Sequence, residues 1–88
     1  MSANIYAVPV SKRKGFELPC SAPSNFLTSL ERAFSCDPHQ RPVFSKEHCG
    51  RLEGMAAMYP TEDEDHNPYL LLIHMIDKHG EVELQVEY

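Results

Sequence analysis

Thiol and imidazole side chains in the first two thirds of the chain are the residues best suited to chemistry. The candidate ligands are Cys20, Cys36, His39, His48 and Cys49. Two residues separate Cys36 from His39, and with this spacing one loop can hold zinc through a thiolate and an imidazole. His48 or Cys49 could supply a third ligand and Cys20 a fourth. The pattern therefore allows a small zinc-binding regulatory domain.

A structural role for the same thiols is the interpretation that we favour. His48 and Cys49 are adjacent on a predicted helix, so their side chains point in different directions, and Cys49 also fits the apolar face of that helix as a small hydrophobe. Zinc sites usually take two pairs of ligands from two separate turns. An odd number of cysteines without a secretory signal is typical of reduced thiols in the cytoplasm. We therefore expect a cytoplasmic protein without a cofactor.

The residue pattern does not indicate catalysis. Nucleophilic catalysis needs a nucleophile, a base and a group that orients the base, and no local signature pairs one of the cysteines with a histidine. The four glycines are far apart, and none follows a strand and opens a helix as a phosphate-binding loop requires. We therefore expect no enzyme activity.

The elements that position these residues are clearest in the last third of the chain, where a helix is followed by a strand. Asn67 can cap the first free amides of a helix, Pro68 suits the first helical position, and Gly80 can end the helix with a positive φ. Apolar residues recur at helical spacing between them, whereas residues 81–88 alternate between acidic or polar and apolar types. A competing interpretation, in which a buried strand over 69–76 turns back near Gly80, leaves the capping residues unexplained.

Earlier segments predict the rest of an α+β fold. Residues 4–10 alternate as a strand with Tyr6 and Val8 on one face, and residues 16–18 are expected to return as a short hairpin partner. Amphipathic patterns predict helices over 23–35 and 46–59, with a proline-containing loop over 36–44. We expect one domain over 1–88, in which the terminal strands share a two- or three-stranded sheet that is covered on one face by three helices.

Gly50 and Gly54 lie inside the second predicted helix, where each is less favourable than alanine by up to ~1 kcal/mol. We expect them to allow close packing against a neighbouring helix of the same domain. A docking groove for a partner is the alternative. Arg51 and Glu53 stand between the glycines and exclude a membrane-dimer motif.

Net charge limits the classes of partner. Acidic residues outnumber basic ones by 13 to 8, which leaves a formal net charge of -5. A general nucleic-acid or anionic-membrane binder needs a basic face instead. No apolar run reaches the ~18 residues of a membrane span. We therefore expect a protein partner, itself basic or nucleic-acid-binding, and no direct contact with nucleic acid or membrane.

The predicted contact surface combines acidic residues with two leucines that are expected to be exposed at the start of the third helix. Its members are Glu62, Asp63, Glu64, Asp65, Leu70, Leu71, Glu81, Glu83 and Glu87. In size and charge the chain is similar to phage-encoded inhibitors of host enzymes, including anti-CRISPR proteins, and this similarity implies inhibition of a larger enzyme or complex. The hypothesis is therefore a small acidic protein that acts by protein–protein binding. The alternatives are the zinc domain above and a self-associating structural module, as a monomer or a homodimer.

Overall fold

A four-stranded antiparallel sheet and three α-helices form the fold in a computed structural model, which describes residues 4–12, 14–20, 23–59 and 66–88. In chain order the elements are strand β1 (Asn4–Pro9), strand β2 (Phe16–Glu17), helix α1 (Pro23–Phe34), a 3-10 turn (Pro38–Gln40), strand β3 (Val43–Phe44), helix α2 (Lys46–Ala57), helix α3 (Pro68–His79) and strand β4 (Val82–Glu87). The predicted α+β class is confirmed. Each α-helix contains 12 residues, and none in the described part of the chain is long and apolar enough to cross a membrane.

The strands of the sheet lie in the order β2-β1-β4-β3, and each neighbouring pair is antiparallel. β1 and β4 pair along their whole length, from Asn4 opposite Glu87 to Pro9 opposite Val82. The prediction that these two strands share one sheet and the predicted hairpin from β1 to β2 are therefore confirmed.

β3 is the strand that the sequence did not predict, and it makes the expectation of two or three strands wrong. It lies within the segment expected to be a loop, where Val43 pairs with Glu83. The Leu84 amide also donates a hydrogen bond to the Pro42 carbonyl at 2.9 Å. Because a strand of two residues has no periodicity, the sequence pattern could not reveal it. Its pairing places β4 inside the sheet rather than at an edge.

A single hydrophobic core joins the sheet to the helices. Its buried members are Ile5, Ala7, Leu18, Phe26, Leu27, Leu30, Phe44, Leu52, Ala56, Tyr69, Leu72, Met75, Ile76, Val82 and Leu84. In β4, and in β1 as far as Ala7, these core residues alternate with exposed or half-buried residues, whereas Val8 and Pro9 at the end of β1 are both buried. Such alternation is typical of strands that bury one face against other elements.

Helix α3 begins and ends at the residues expected from capping. The Asn67 side-chain oxygen accepts hydrogen bonds from the amides of Tyr69 at 3.0 Å and Leu70 at 3.3 Å. Pro68 is the first helical residue, and Gly80 follows the last one with a φ of 90°. The predicted order of a helix followed by a strand in the last third of the chain is therefore confirmed.

Helices α1, α2 and α3 meet around Asn67 and Tyr69. Asn67 is fully buried, and its Nδ2 donates a hydrogen bond to the Ala56 carbonyl of α2 at 3.2 Å. The Tyr69 ring of α3 lies 4.9 Å from the Phe26 ring of α1 and 5.7 Å from the Tyr59 ring that follows α2. One polar and two aromatic contacts thus connect the three helices.

Gly50 and Gly54 lie on the exposed side of α2 and not against a neighbouring helix. A Cβ placed on either glycine would meet no atom within 4 Å beyond the backbone of its own helix. The buried residues of α2, Leu52 and Ala56, belong to the core instead. The expected close packing of these glycines within the domain is therefore wrong.

Candidate functional site

The thiol and imidazole candidates do not come together in one metal site among the described residues. Among the described residues, no three histidine, cysteine, aspartate or glutamate side chains form a group that could hold a metal ion. His39 contacts Asp37 and Tyr88. Cys36 Sγ lies 4.0 Å from the Leu30 carbonyl oxygen. Each of these two candidates therefore has its own local contacts.

His48 and Cys49 are held by contacts at the start of α2. The Ser45 amide donates a hydrogen bond to His48 Nδ1 at 2.9 Å, so this nitrogen uses its lone pair within the helix cap. Cys49 Sγ lies 4.0 Å from the Ser45 carbonyl oxygen. The structure does not gather the predicted ligands, and zinc binding stays a prediction for Cys20, Cys36, His39 and Cys49.

Two thiols have pKa values that disfavour the thiolate. Burial raises the pKa of Cys36, and the negative charge of Asp37 raises it further. Burial likewise raises the pKa of Cys49, and the carboxylates of Glu53 and Asp77 add to the effect. The thiolate is the form that attacks electrophiles and binds metals. At neutral pH, neither thiol is therefore poised as a nucleophile.

The predicted contact residues fall into separate parts of the molecule. The acidic run of Glu62, Asp63, Glu64 and Asp65 lies outside the described residues. Leu70 and Leu71 are half-buried against the core, so the expectation that they are exposed is wrong. Leu70 lines a cleft of about 660 Å³ formed by residues of α2 and α3, and Leu71 lines one of about 360 Å³ beside β2. The neighbouring elements thus cover both leucines in part.

Glu83 and Glu87 belong to three rows of cross-strand neighbours that alternate with the core residues Ala7 and Leu84, and we call these the outer rows. The first row is Val43, Glu83 and Val8, the second is Gln85, Tyr6 and Glu17, and the third is Glu87 and Asn4. The charged members of the outer rows are three glutamates, and no lysine, arginine or histidine stands among them. Glu81, the remaining predicted contact residue, is exposed just before β4 and lies outside the rows.

A shallow depression follows the first of the outer rows. It has a volume of about 240 Å³ and is lined by Val8, Pro9, Val10, Glu83 and Gln85. Gln85 Nε2 donates a hydrogen bond to Glu83 Oε2 at 2.7 Å. Since a carboxylate can accept about four hydrogen bonds, Glu83 keeps capacity for a partner. Val10 and Val43 are 54% and 43% exposed, so apolar surface flanks the carboxylate.

Sequence reasoning did not assign the outer-row residues of β1, β2 and β3 to a contact surface. The alternation of β1 correctly placed Tyr6 and Val8 on one face, but it did not show that Glu17 and Val43 complete their rows. That information lies in the pairing of β1 with β2 and of β4 with β3. Only the glutamates of β4 carried a signal strong enough to find.

Comparisons of the chain with protein-family models, with curated proteins and with solved structures found no match. The outer rows, the clefts and the side-chain clusters are therefore interpreted from their own geometry and charge.

Proposed function

We propose that this chain is a non-catalytic binding protein whose outer rows contact a protein partner with a basic surface. The observation that carries the proposal is the charge of these rows, whose charged members are Glu17, Glu83 and Glu87, with no cationic residue in the rows themselves. Valine, tyrosine and amide side chains stand between the carboxylates. Such a surface is complementary to a partner that presents lysine or arginine around an apolar centre.

The outer rows other than Val8 are accessible because, we infer, all three α-helices pack on the other face of the sheet. Ala7 and Leu84 pair directly on β1 and β4, and both belong to the core together with Leu30 of α1, Leu52 of α2 and Leu72 of α3. The residues that alternate with Ala7 and Leu84 are exposed or half-buried, apart from Val8, which is 8% exposed. An antiparallel sheet with one face covered by helices and one face open to a partner accounts for this pattern.

Glu83 is the carboxylate best placed to anchor a cation from the partner. It is half-buried on an inner strand of the sheet, between Val8 and Val43 in the first row. Val8 is already buried, but Val10 and Val43 are exposed, so a partner that covers these two valines also removes water from the carboxylate. A charge-assisted hydrogen bond in such surroundings contributes about 1.5–3 kcal/mol. Arginine suits this position better than lysine, because its guanidinium can donate two parallel hydrogen bonds to one carboxylate.

The same charges argue against two other occupants of the outer rows. Nucleic acid would place phosphates against Glu17, Glu83 and Glu87, and a second copy of the chain would place these glutamates against each other. Like charges brought together at an interface cost several kcal/mol. A basic protein surface is therefore the occupant that we propose. Covering the basic surface of a larger enzyme or nucleic-acid-binding protein would exclude that protein's own anionic ligands, which makes inhibition the natural consequence of binding.

Affinity capture with charge-neutralised variants tests the proposal. The test variant combines Glu17→Gln, Glu83→Gln and Glu87→Gln, which keeps side-chain size and removes three charges from the outer rows. The matched control combines Glu47→Gln, Glu53→Gln and Asp77→Asn, which removes three exposed charges from α2 and α3. Immobilised wild type and both variants are exposed to a lysate of the source cells at low and at physiological salt. A recovered partner is then titrated against each chain.

We expect the wild type and the control to retain the same basic protein, and the test variant to bind it at least 30-fold more weakly. That ratio corresponds to about 2 kcal/mol, the lower end of what Glu83 and two exposed charges should supply together. Equal binding by the test variant, or an equal loss in the control, would place the contact elsewhere on the molecule.

A further inference from the structure

Asp37, His39 and Tyr88 form an exposed cluster outside the outer rows. Tyr88 follows β4, and His39 belongs to the 3-10 turn that contacts this strand. The Tyr88 hydroxyl is hydrogen-bonded to His39 Nε2. The two ring planes differ by 10° and their centres lie 5.7 Å apart. On the other side of the imidazole, Asp37 Oδ1 lies 3.5 Å from His39 Nδ1. A carboxylate, an imidazole and a hydroxyl thus follow each other in the order that activates an oxygen nucleophile.

Asp37 determines which nitrogen of His39 can act as a base. The Asp37 carboxylate is fixed at the start of the 3-10 turn, because its Oδ1 accepts a hydrogen bond from the His39 amide at 2.9 Å. A fixed negative charge beside Nδ1 favours the imidazole tautomer that carries its proton there. In this tautomer Nε2 presents a lone pair to the Tyr88 hydroxyl and accepts its hydrogen bond.

Tyr88 is also the tyrosine that a reagent reaches most easily. It is 74% exposed, whereas Tyr6 and Tyr59 are half-buried and Tyr69 is buried. Burial also raises the pKa of Tyr69, which keeps its phenol protonated and weakly nucleophilic. Exposure and a hydrogen-bonded base therefore coincide at Tyr88.

We propose that Tyr88 is a site of acylation by activated acyl donors, with His39 as the general base and Asp37 as the residue that positions the imidazole. The Tyr88 hydroxyl oxygen attacks the carbonyl carbon of the donor while its proton passes to His39 Nε2. A carbon–oxygen bond forms, the bond to the leaving group breaks, and the leaving group departs with that electron pair. The imidazolium then releases its proton to the solvent. The product is a tyrosyl ester.

Acetylation by p-nitrophenyl acetate tests the assignment on the full chain. The reaction is followed by p-nitrophenolate release, and peptide mass spectrometry measures the acetyl group on each tyrosine. The variants are His39→Gln, which removes the base, and Asp37→Asn, which keeps a residue suited to the start of the turn but removes the charge. The control is His74→Gln, which removes an exposed histidine of α3. Circular dichroism checks that each variant retains the fold.

We expect Tyr88 to be acetylated first and at least tenfold faster than the other tyrosines. His39→Gln should slow acetylation of Tyr88 at least tenfold, because general-base catalysis typically contributes a factor of about 10²–10⁴. Asp37→Asn should slow it less. Unchanged acetylation of Tyr88 in His39→Gln would mean that exposure alone controls its reactivity and would overturn the proposal. An equal loss in His74→Gln would do the same.

Discussion

Replacement of Asn67 by alanine should be among the most destabilising single changes in this chain. The substitution removes the cap of α3, for which a loss of about 0.5–2 kcal/mol is usual. It also removes the donor to the Ala56 carbonyl of α2, and an unsatisfied buried polar group costs about 1–3 kcal/mol. Because the two effects overlap in part, we expect a total loss of about 2–4 kcal/mol. The stability of a chain of this length is about 4–13 kcal/mol, so the loss is a large fraction of the whole.

Urea unfolding followed by far-ultraviolet circular dichroism measures this loss. The midpoint for Asn67→Ala should fall by about 1 M urea or more, without a change in slope. Asn25→Ala provides the matched control, because Asn25 is exposed within α1 and alanine is the better helix former there. A midpoint for Asn67→Ala close to that of Asn25→Ala would refute the reasoning, since it would mean that Asn67 joins neither the cap nor the two helices.

Three further predictions concern backbone conformation and ionisation. Gly54→Ala should stabilise the fold by about 0.5–1 kcal/mol, because the added Cβ meets open space on a helix. Gly80→Ala should destabilise the fold by about 1 kcal/mol or more, because the φ of Gly80 is positive. Thermal unfolding compares the two variants, and equal shifts of their midpoints would contradict the prediction. Burial raises the pKa of Tyr69 in the folded state, so its contribution to stability is complete below about pH 10 and is lost as the pH rises further. The free energy of unfolding should therefore fall above this pH, and the fall should be smaller in Tyr69→Phe. An identical pH dependence in the variant would count against this prediction. The raised pKa values of Cys36 and Cys49 predict that iodoacetamide alkylates both thiols more slowly in the folded chain than in urea at neutral pH. Peptide mass spectrometry measures the two alkylation rates. Equal rates in the folded chain and in urea would contradict the effect of burial.

The outer rows show how far sequence reasoning reached toward a functional surface. The alternating pattern of residues 81–88 separated Glu83 and Glu87 from the apolar residues of β4, and the separation holds in the fold. The pattern could not show that β4 lies inside the sheet, so the glutamates were predicted without their neighbours on β1, β2 and β3. Leu70 and Leu71 were predicted to be exposed, and this prediction was wrong for a related reason. The sequence did not show that neighbouring elements cover these two side chains in part.

The cluster around His39 illustrates a site that no local pattern indicates. His39 stood out in the sequence as a partner of Cys36, because the two residues between them give a spacing that can hold zinc. In the fold its partners are Asp37 and Tyr88, and Tyr88 lies 49 residues further along the chain. Hydrogen bonds between such distant positions depend on the register of β4 against the preceding segment, which sequence spacing does not encode.

The sequence by itself determined the features that depend on neighbouring residues. Asn67, Pro68 and Gly80 set the ends of α3, because capping and a positive φ act within one helical turn. The alternation of β1 and β4 likewise divided each strand into two faces. Only the tertiary structure decided which elements cover each face, that Val43 extends the sheet, and that Tyr88 meets His39. These outcomes depend on contacts between segments far apart in the chain, whose geometry exists only when the whole core has assembled.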